Sequence, residues 1–278
     1  MLPKVETVSR KDEAAMCEAR RVETSPRPTR ALITGASSGI GTAFAEWFAN
    51  EGCEVVLVAR DGGMLSAVAD RIRARGGTCE VVVADLSHKD GVETAVARAG
   101  EVDVLVCNAG LTHAASLGAS DREQLDALAY LMSTGVVRLC EALVPTMVRH
   151  RRGDVVIVSS IAAFTPMRKA GPYAAAKAHS TSYARSLSLE VRDKGVRVVA
   201  VCPGYVRTDL HRRAGLEHLT GKVPDWMWLD AQDVVRATVR ALRRGRVVVV
   251  PGLVYRLVLP FLTSSVAQRT WRRMTRRR

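Results

Sequence analysis

At 278 residues, with 47% hydrophobic and 25% charged side chains, the chain can bury a sizeable core, which excludes disorder for the bulk of it and accommodates one α/β domain with tails. The net charge of +13 would suit a nucleic-acid binder, but from Arg243 onward there are arginines and no acids, while the central body is close to balanced. The cysteines (Cys17, Cys53, Cys79, Cys107, Cys140 and Cys202) show no CxxC spacing and mostly lie in apolar runs, so they read as buried free thiols in a reducing, cytoplasmic compartment, with no metal site.

Residues 1–29 mix both charge signs, are punctuated by proline and contain no apolar h-region. They are expected to form a flexible tail, and neither a secretory signal nor a membrane span. From Arg30 the chain alternates the β-branched runs RALIT, CEVVLVA, CEVVVA, VDVLVC, DVVIVSS, VRVVAVC and RVVVV with helical stretches at Gly39–Asn50, Met64–Arg75, Lys89–Ala99, Asp121–Arg149, Gly171–Lys194 and Ala231–Arg243. Strands so continuously apolar are buried on both faces, which requires a parallel sheet covered by helices. The expected fold is α/β: a single-domain Rossmann-type doubly wound parallel sheet of about seven strands over residues 30–252, with an extra C-terminal helical tail over 253–278.

The first strand runs into Thr34-Gly35-Ala36-Ser37-Ser38-Gly39-Ile40-Gly41 at the head of an amphipathic helix. Glycines let the backbone turn tightly and approach a pyrophosphate, and the helix N-terminus offers unpaired N–H groups and a positive dipole end. The second strand leads into Val58-Ala59-Arg60, where an acid would bind the ribose hydroxyls of NAD. An arginine suits a 2′-phosphate instead, so NADP(H) is favoured over NAD(H).

With TGASSGIG stand Asn108-Ala109-Gly110 after the fourth strand, Ser159-Ser160 closing the fifth, Tyr173-x-x-x-Lys177, and Pro203-Gly204 after the sixth. In this order they resemble the classical short-chain dehydrogenase/reductase family, over about Arg30 to Gly252. The resemblance implies that Gly35, Ser37, Ser38, Gly39, Ile40, Gly41 and Arg60 contact the phosphates and ribose of the cofactor. It places Asp85 and Leu86 by the adenine, and Asn108, Ala109 and Gly110 along the nicotinamide. Pro203 and Gly204 would line the same site, with Val206 and Thr208 at the carboxamide.

GPYAAAK sets Tyr173 and Lys177 one helical turn apart on one face. A free phenol, with a pKa of about 10, is a poor acid–base catalyst at neutral pH, and a nearby ammonium stabilises its phenolate. By resemblance, Lys177 also grips the nicotinamide ribose, Ser160 polarises a substrate carbonyl, and Tyr173 delivers a proton to the forming alkoxide. The family usually adds an asparagine that holds a relay water, three residues before a glycine. Here Tyr130-Leu131-Met132-Ser133-Thr134-Gly135 puts Met132 at that place, and a thioether cannot both donate and accept. Three readings stand: Ser133 or Thr134 supplies the polar group, the relay takes another water path with a slower rate, or the protein is a poor enzyme.

The loop Tyr205–Asp230 is expected to cover the substrate. Its Leu210, Leu216, Leu219, Val223, Trp226, Met227, Trp228 and Leu229 favour a hydrophobic carbonyl compound over a sugar or small polar acid, and His211 and His218 are given no role. After Pro251 an apolar stretch, broken by Arg256 and Pro260, precedes an arginine cluster and is too interrupted to span a bilayer. It either lies on an anionic membrane surface, where each cation adds about 1 kcal/mol, or packs on the body or on a second subunit. Nucleic-acid binding is not expected, because Trp271 is the sole aromatic residue among these arginines.

The expectation is an NADPH-dependent reductase of a hydrophobic ketone or aldehyde, such as an acyl or steroid carbonyl. By resemblance it would be a homodimer or homotetramer built on the two long helices, cytoplasmic or peripheral at the membrane. The alternatives are a catalytically weak NADPH-binding scaffold or sensor, owing to Met132, and a membrane-surface adaptor.

Overall fold

A computed structural model of the chain describes residues 29–112, 115–167, 169–208 and 223–263. The expectations for the 1–28 tail, for Leu210, His211, Leu216, His218 and Leu219, and for the arginine-rich segment 264–278 lie outside the described residues.

All seven expected strands form: β1 Arg30–Thr34, β2 Glu54–Ala59, β3 Cys79–Val83, β4 Val104–Cys107, β5 Gly153–Val158, β6 Val196–Val201 and β7 Val248–Val249. They make one parallel sheet in the order β3-β2-β1-β4-β5-β6-β7. The order reverses between β1 and β4, and that switch point opens a crevice beyond the carboxyl ends of the strands. The helices are α1 Gly39–Asn50, α2 Gly62–Ala74, α3 Lys89–Ala99, α4 Arg122–Ala129, α5 Gly135–Arg149, α6 Gly171–Val191, α7 Ala231–Arg243 and α8 Leu253–Thr263.

The central strands β1, β2, β4, β5 and β6 are largely buried on both faces, as their continuous apolar runs require, whereas the edge strands β3 and β7 are only partly covered and Val83 is exposed. One face is covered by Phe44 and Phe48 of α1, Leu65 and Ile72 of α2, and Val234 and Leu242 of α7. The other is covered by Val92 of α3, Leu139, Leu143 and Met147 of α5, and Leu187 and Val191 of α6. Among the described residues the run Arg122–Arg149 is long and apolar enough to cross a membrane, but its apolar stripe is spent on this sheet packing.

Element boundaries depart from the sequence expectation where side chains or packing intervene. Helix α2 starts at Gly62, not Met64, because the Asp61 carboxylate accepts a hydrogen bond from Met64 N at 2.9 Å and caps the earlier turn. The expected continuous helix 121–149 carries a π-helical turn at Tyr130–Thr134, a feature concentrated at functional sites. The final residues of the 171–194 stretch tighten into a 3-10 turn at Arg192–Lys194, which ends on the left-handed Gly195.

Helix α8 folds back onto the 3-10 turn Ile161–Phe164 that follows β5. Its buried Tyr255 bridges the two ends of the substrate-side loop, accepting from Tyr205 N at 3.0 Å and donating to Met227 O at 2.6 Å. The Tyr255 ring lies where a side chain on Gly204 would be, so only glycine allows this approach. Gly204→Ala is therefore expected to destabilise the fold by about 1–3 kcal/mol as overpacking, read by denaturant melts, with hydrogen exchange quickened in α8.

Candidate active site

The crevice is framed where β1 and β4 end. The buried Thr34 hydroxyl donates to Val106 O at 3.1 Å and accepts from Asn108 N at 2.9 Å and Ala109 N at 3.0 Å. The Asn108 side-chain amide returns bonds to Thr34 O at 2.9 Å and Gly35 O at 3.2 Å. Asn108 thus buttresses the glycine loop. Gly35 has φ +64, and a Cβ there would stand 2.8 Å from Asn108 Nδ2. Gly39, at φ +58, would bring a Cβ within 2.7 Å of Thr208 Cγ2, so the turn after Pro203-Gly204 packs directly against the loop. A Cβ on Gly41 would overlap the Gly35 carbonyl.

This cradle fits a dinucleotide pyrophosphate. Ser38 caps α1 in an extended conformation without a side-chain cap bond, and the first turn holds no acid, whereas Asp61 and Asp121 cap α2 and α4 with their carboxylates. The N–H groups at the start of α1 are left for an anion. Ser37, Ser38 and Ile40 are half-buried around them. Arg60 is exposed at the end of β2, facing Asp85 beyond β3. Burial pushes the Asp85 carboxyl up, but side-chain and backbone bonds from Ser87, with the Arg60 and His88 charges, more than offset this and hold it below its usual range. The neighbouring Leu86 is buried in the core beneath the site.

Helix α6 carries Tyr173 and Lys177 and is pinned to the end of β5. The buried Ser159 hydroxyl donates to Lys177 O at 2.8 Å and pairs with Thr181 Oγ1 at 2.7 Å, which itself meets Cys202 Sγ at 3.8 Å. Ser159 is thus an anchor, and Ser160 is the member of the pair that faces the site. Ser160 Oγ accepts from Ala162 N at 3.2 Å and bonds the Tyr173 phenol. Lys177 is buried, its Nζ donating to Val158 O at 2.8 Å and lying 5.8 Å from the centre of the Tyr173 ring. Among the described residues no carboxylate pairs with this ammonium.

The sequence expectation that Lys177 lowers the phenol pKa is not met in this geometry. Burial pushes the Tyr173 phenol above 10, the Ser160 bond offsets only part of that, and Lys177 is aimed at the Val158 carbonyl. Burial also pushes Lys177 down to about 8.

Met132 is buried in the π-helical turn against Leu128 and Ala176. A Cβ on Gly110 would stand 3.5 Å from Met132 Sδ and 3.6 Å from Lys177 Nζ, so the thioether and the ammonium flank the same small residue. The Met132 carbonyl is occupied by the Ser180 hydroxyl at 2.7 Å. Thr134 is exposed and Ser133 is half-buried.

On the substrate side, buried Val206 bridges to Leu229, Leu229 N donates to Tyr205 O at 2.9 Å, and Arg207 N donates to Leu229 O at 2.9 Å. Tyr205 and Trp228 rings meet at 5.6 Å. Pro203 O accepts from Ile161 N at 3.0 Å, which ties this turn to the one that follows Ser160. The structure therefore gathers the glycine loop, Asn108–Gly110, Ser160, Tyr173, Lys177 and Pro203–Thr208 around one crevice. Sequence reasoning did not single out Ser180 or Tyr255, whose partners lie 48 and 50 residues away.

Comparison with known proteins gives a match to the short chain dehydrogenase family over residues 29–218. An uncharacterized oxidoreductase of Staphylococcus saprophyticus is 33% identical over 222 residues, covering 77% of this chain and 91% of that protein. The structure of a short-chain dehydrogenase from Sphingobium yanoikuyae in complex with NADPH is 32% identical, with a TM-score of 0.75 over 82% of this chain and 91% of that one. A bulky-bulky ketone specific alcohol dehydrogenase from Comamonas testosteroni is 31% identical, with a TM-score of 0.72 over 82% and 88%.

The burial of Lys177 has a consequence for stability. With its pKa at about 8 in the fold against 10.5 unfolded, the desolvation penalty is complete below pH 8 and is relieved as pH rises from there to 10.5. Lys177→Met is expected to stabilise the chain at pH 7, by on the order of 3 kcal/mol. The gap over the parent should close between pH 8 and 10.5 in paired thermal melts.

Proposed function

The chain belongs to the short-chain dehydrogenase/reductase family and is an oxidoreductase of CH–OH and C=O groups that works with a nicotinamide cofactor; from that premise we propose that it uses NADPH to reduce a hydrophobic ketone or aldehyde. The observation that carries this reading is the meeting of Ser160, the Tyr173 phenol and the uncompensated Lys177 ammonium beside the glycine cradle. The nicotinamide cofactor, when bound, supplies the hydride that reduces the carbonyl.

The protein's own residues bind, orient and protonate. The N–H groups at the start of α1 and the Ser37–Ile40 backbone hold the pyrophosphate, and Arg60 pairs with a 2′-phosphate, the basis for preferring NADPH. Asp85 and Leu86 flank the adenine, while Asn108–Gly110, Pro203, Gly204, Val206 and Thr208 line the nicotinamide half. Ser160 and Tyr173 share the substrate oxygen as donors. Because burial keeps the phenol protonated through neutral pH, it is poised to give its proton to the developing alkoxide. Lys177, whose Nζ lies 5.8 Å from the centre of the Tyr173 ring, fixes the ribose.

Met132 replaces a polar relay by a packed thioether. The reading we favour is a functioning enzyme whose proton return takes a slower path, and the scaffold alternative is not favoured. Tyr205, Trp228 and the bulky-bulky ketone specificity of the Comamonas relative support an apolar substrate of acyl, steroid or similar class. Assembly as a homodimer or homotetramer through α4–α5 and α6 belongs to the same proposal, with Leu189 exposed on α6.

Three variants test this by the fall in NADPH absorbance with long-chain, steroidal and aromatic carbonyls. Tyr173→Phe is expected to lower kcat by about 100- to 10,000-fold while NADPH still binds. Turnover that survives this change would exclude Tyr173 as the acid. Arg60→Asp should shift the NADPH-to-NADH preference in kcat/KM at least about tenfold, the loss of one charge-assisted contact. Met132→Leu, which preserves packing but removes the sulfur, should leave kcat within about threefold, in keeping with a volume-conserving exchange.

A further inference from the structure

Among the described residues five of the eight exposed large apolar side chains fall together: Leu253, Leu257 and Val258 lie on α8, Trp226 lies in the turn Asp225–Met227 that Tyr255 binds, and Met167 follows the turn Ile161–Phe164 on which α8 packs. The other three, Val83, Leu117 and Leu189, lie away from α8. Leu253 and Leu257, each 63% exposed, stand one helical turn apart on the outer side of α8, while Tyr255 faces inward at 4%. A surface helix of a chain meant to face water alone carries polar residues outward. Here Arg256 is the only charge on the described part of α8. The sequence contains no acid after Asp233, and residues 264–278, directly following α8, include six arginines.

We propose that this face docks onto an anionic lipid bilayer, with α8 lying in the interface and Leu253, Leu257 and Trp226 entering the acyl boundary, the net charge of +13 and the absence of acids after Asp233 favouring an anionic surface. Charge complementarity selects this occupant over a second copy of the chain. An isologous contact would bring together two chains that each carry +13, whereas an anionic surface attracts that charge. The docking also has an orientation. Tyr255 ties α8 to Tyr205 and Met227, so a docked α8 holds the substrate-side opening against the membrane, where a hydrophobic carbonyl partitions. That last consequence rests on the proposed substrate class, but the binding itself does not.

The test is flotation of the full chain with vesicles of phosphatidylcholine alone and of phosphatidylcholine with about one-third phosphatidylglycerol, with reductase activity on a water-soluble aromatic ketone measured in parallel. The expected result is binding to the anionic vesicles at least about tenfold above the neutral ones, weakened by added salt as for any charge attraction. Leu253→Ser/Leu257→Ser should lose about tenfold in binding while soluble-ketone activity is unchanged. Absence of flotation, or flotation indifferent to the leucine pair, overturns the proposal. So does a dimer that the leucine pair abolishes while vesicle binding is absent, since the occupant would then be a second copy. Loss of ketone reduction with binding intact would count against the proposed reaction and not against the docking. The salt titration on the unaltered chain decides the electrostatic part even if the double variant is poorly folded.

Discussion

Thr34 ends β1 with its hydroxyl turned to β4, donating to the Val106 carbonyl and receiving the N–H groups of Asn108 and Ala109. The Asn108 amide closes the junction from the other side by binding the Thr34 and Gly35 carbonyls. Two parallel strands whose connections leave in opposite directions must part at their carboxyl ends, and this pair of polar side chains satisfies the backbone groups exposed there. The glycine loop can hold a strained shape because this junction holds it. The start of α1 then points its free N–H groups into the crevice, and Gly110 sits where the sulfur of Met132 and the ammonium of Lys177 converge.

The catalytic helix obeys a second constraint, burial of a charge. Lys177 reaches the site only by giving up most of its hydration, and a single carbonyl from Val158 returns part of what is lost. The Ser159–Thr181–Cys202 contacts hold the helix so that this unfavourable placement persists. Stability is lost to a buried ammonium that has no carboxylate partner among the described residues. The same dryness raises the Tyr173 phenol, and a proton donor that stays protonated is suited to carbonyl reduction.

The π-helical turn at Tyr130–Thr134 shows how a departure in sequence is absorbed. In this turn Gly135 N–H bonds back to Tyr130 O, and the Ser180 hydroxyl of α6 donates to the Met132 carbonyl. The methionine side chain fills the space against Leu128 and Ala176, so the two long helical segments join through an apolar plug instead of a polar relay. Around the opposite wall, Tyr255 fastens α8 across both stems of the substrate-side loop, which links an apolar outer surface to the shape of the site.

Much of this was legible in the chain itself. Seven continuous apolar runs dictate a parallel sheet covered by helices, and TGASSGIG, Ser160 and the Tyr173–Lys177 spacing carry the family resemblance through local pattern. Those features depend on neighbours within a turn or a strand, which a one-dimensional pattern carries. Other features depended on residues far apart in the chain: Asn108 as a buttress of the glycine loop, Ser180 on the Met132 carbonyl, Gly204 yielding to the Tyr255 ring, and Lys177 aimed at Val158. Hydrogen bonding and desolvation at such points are set by which surfaces meet when the helices close on the sheet. The sequence by itself therefore determined the architecture and the reactive groups, while the tertiary structure alone decided their protonation, their partners and the role of each glycine.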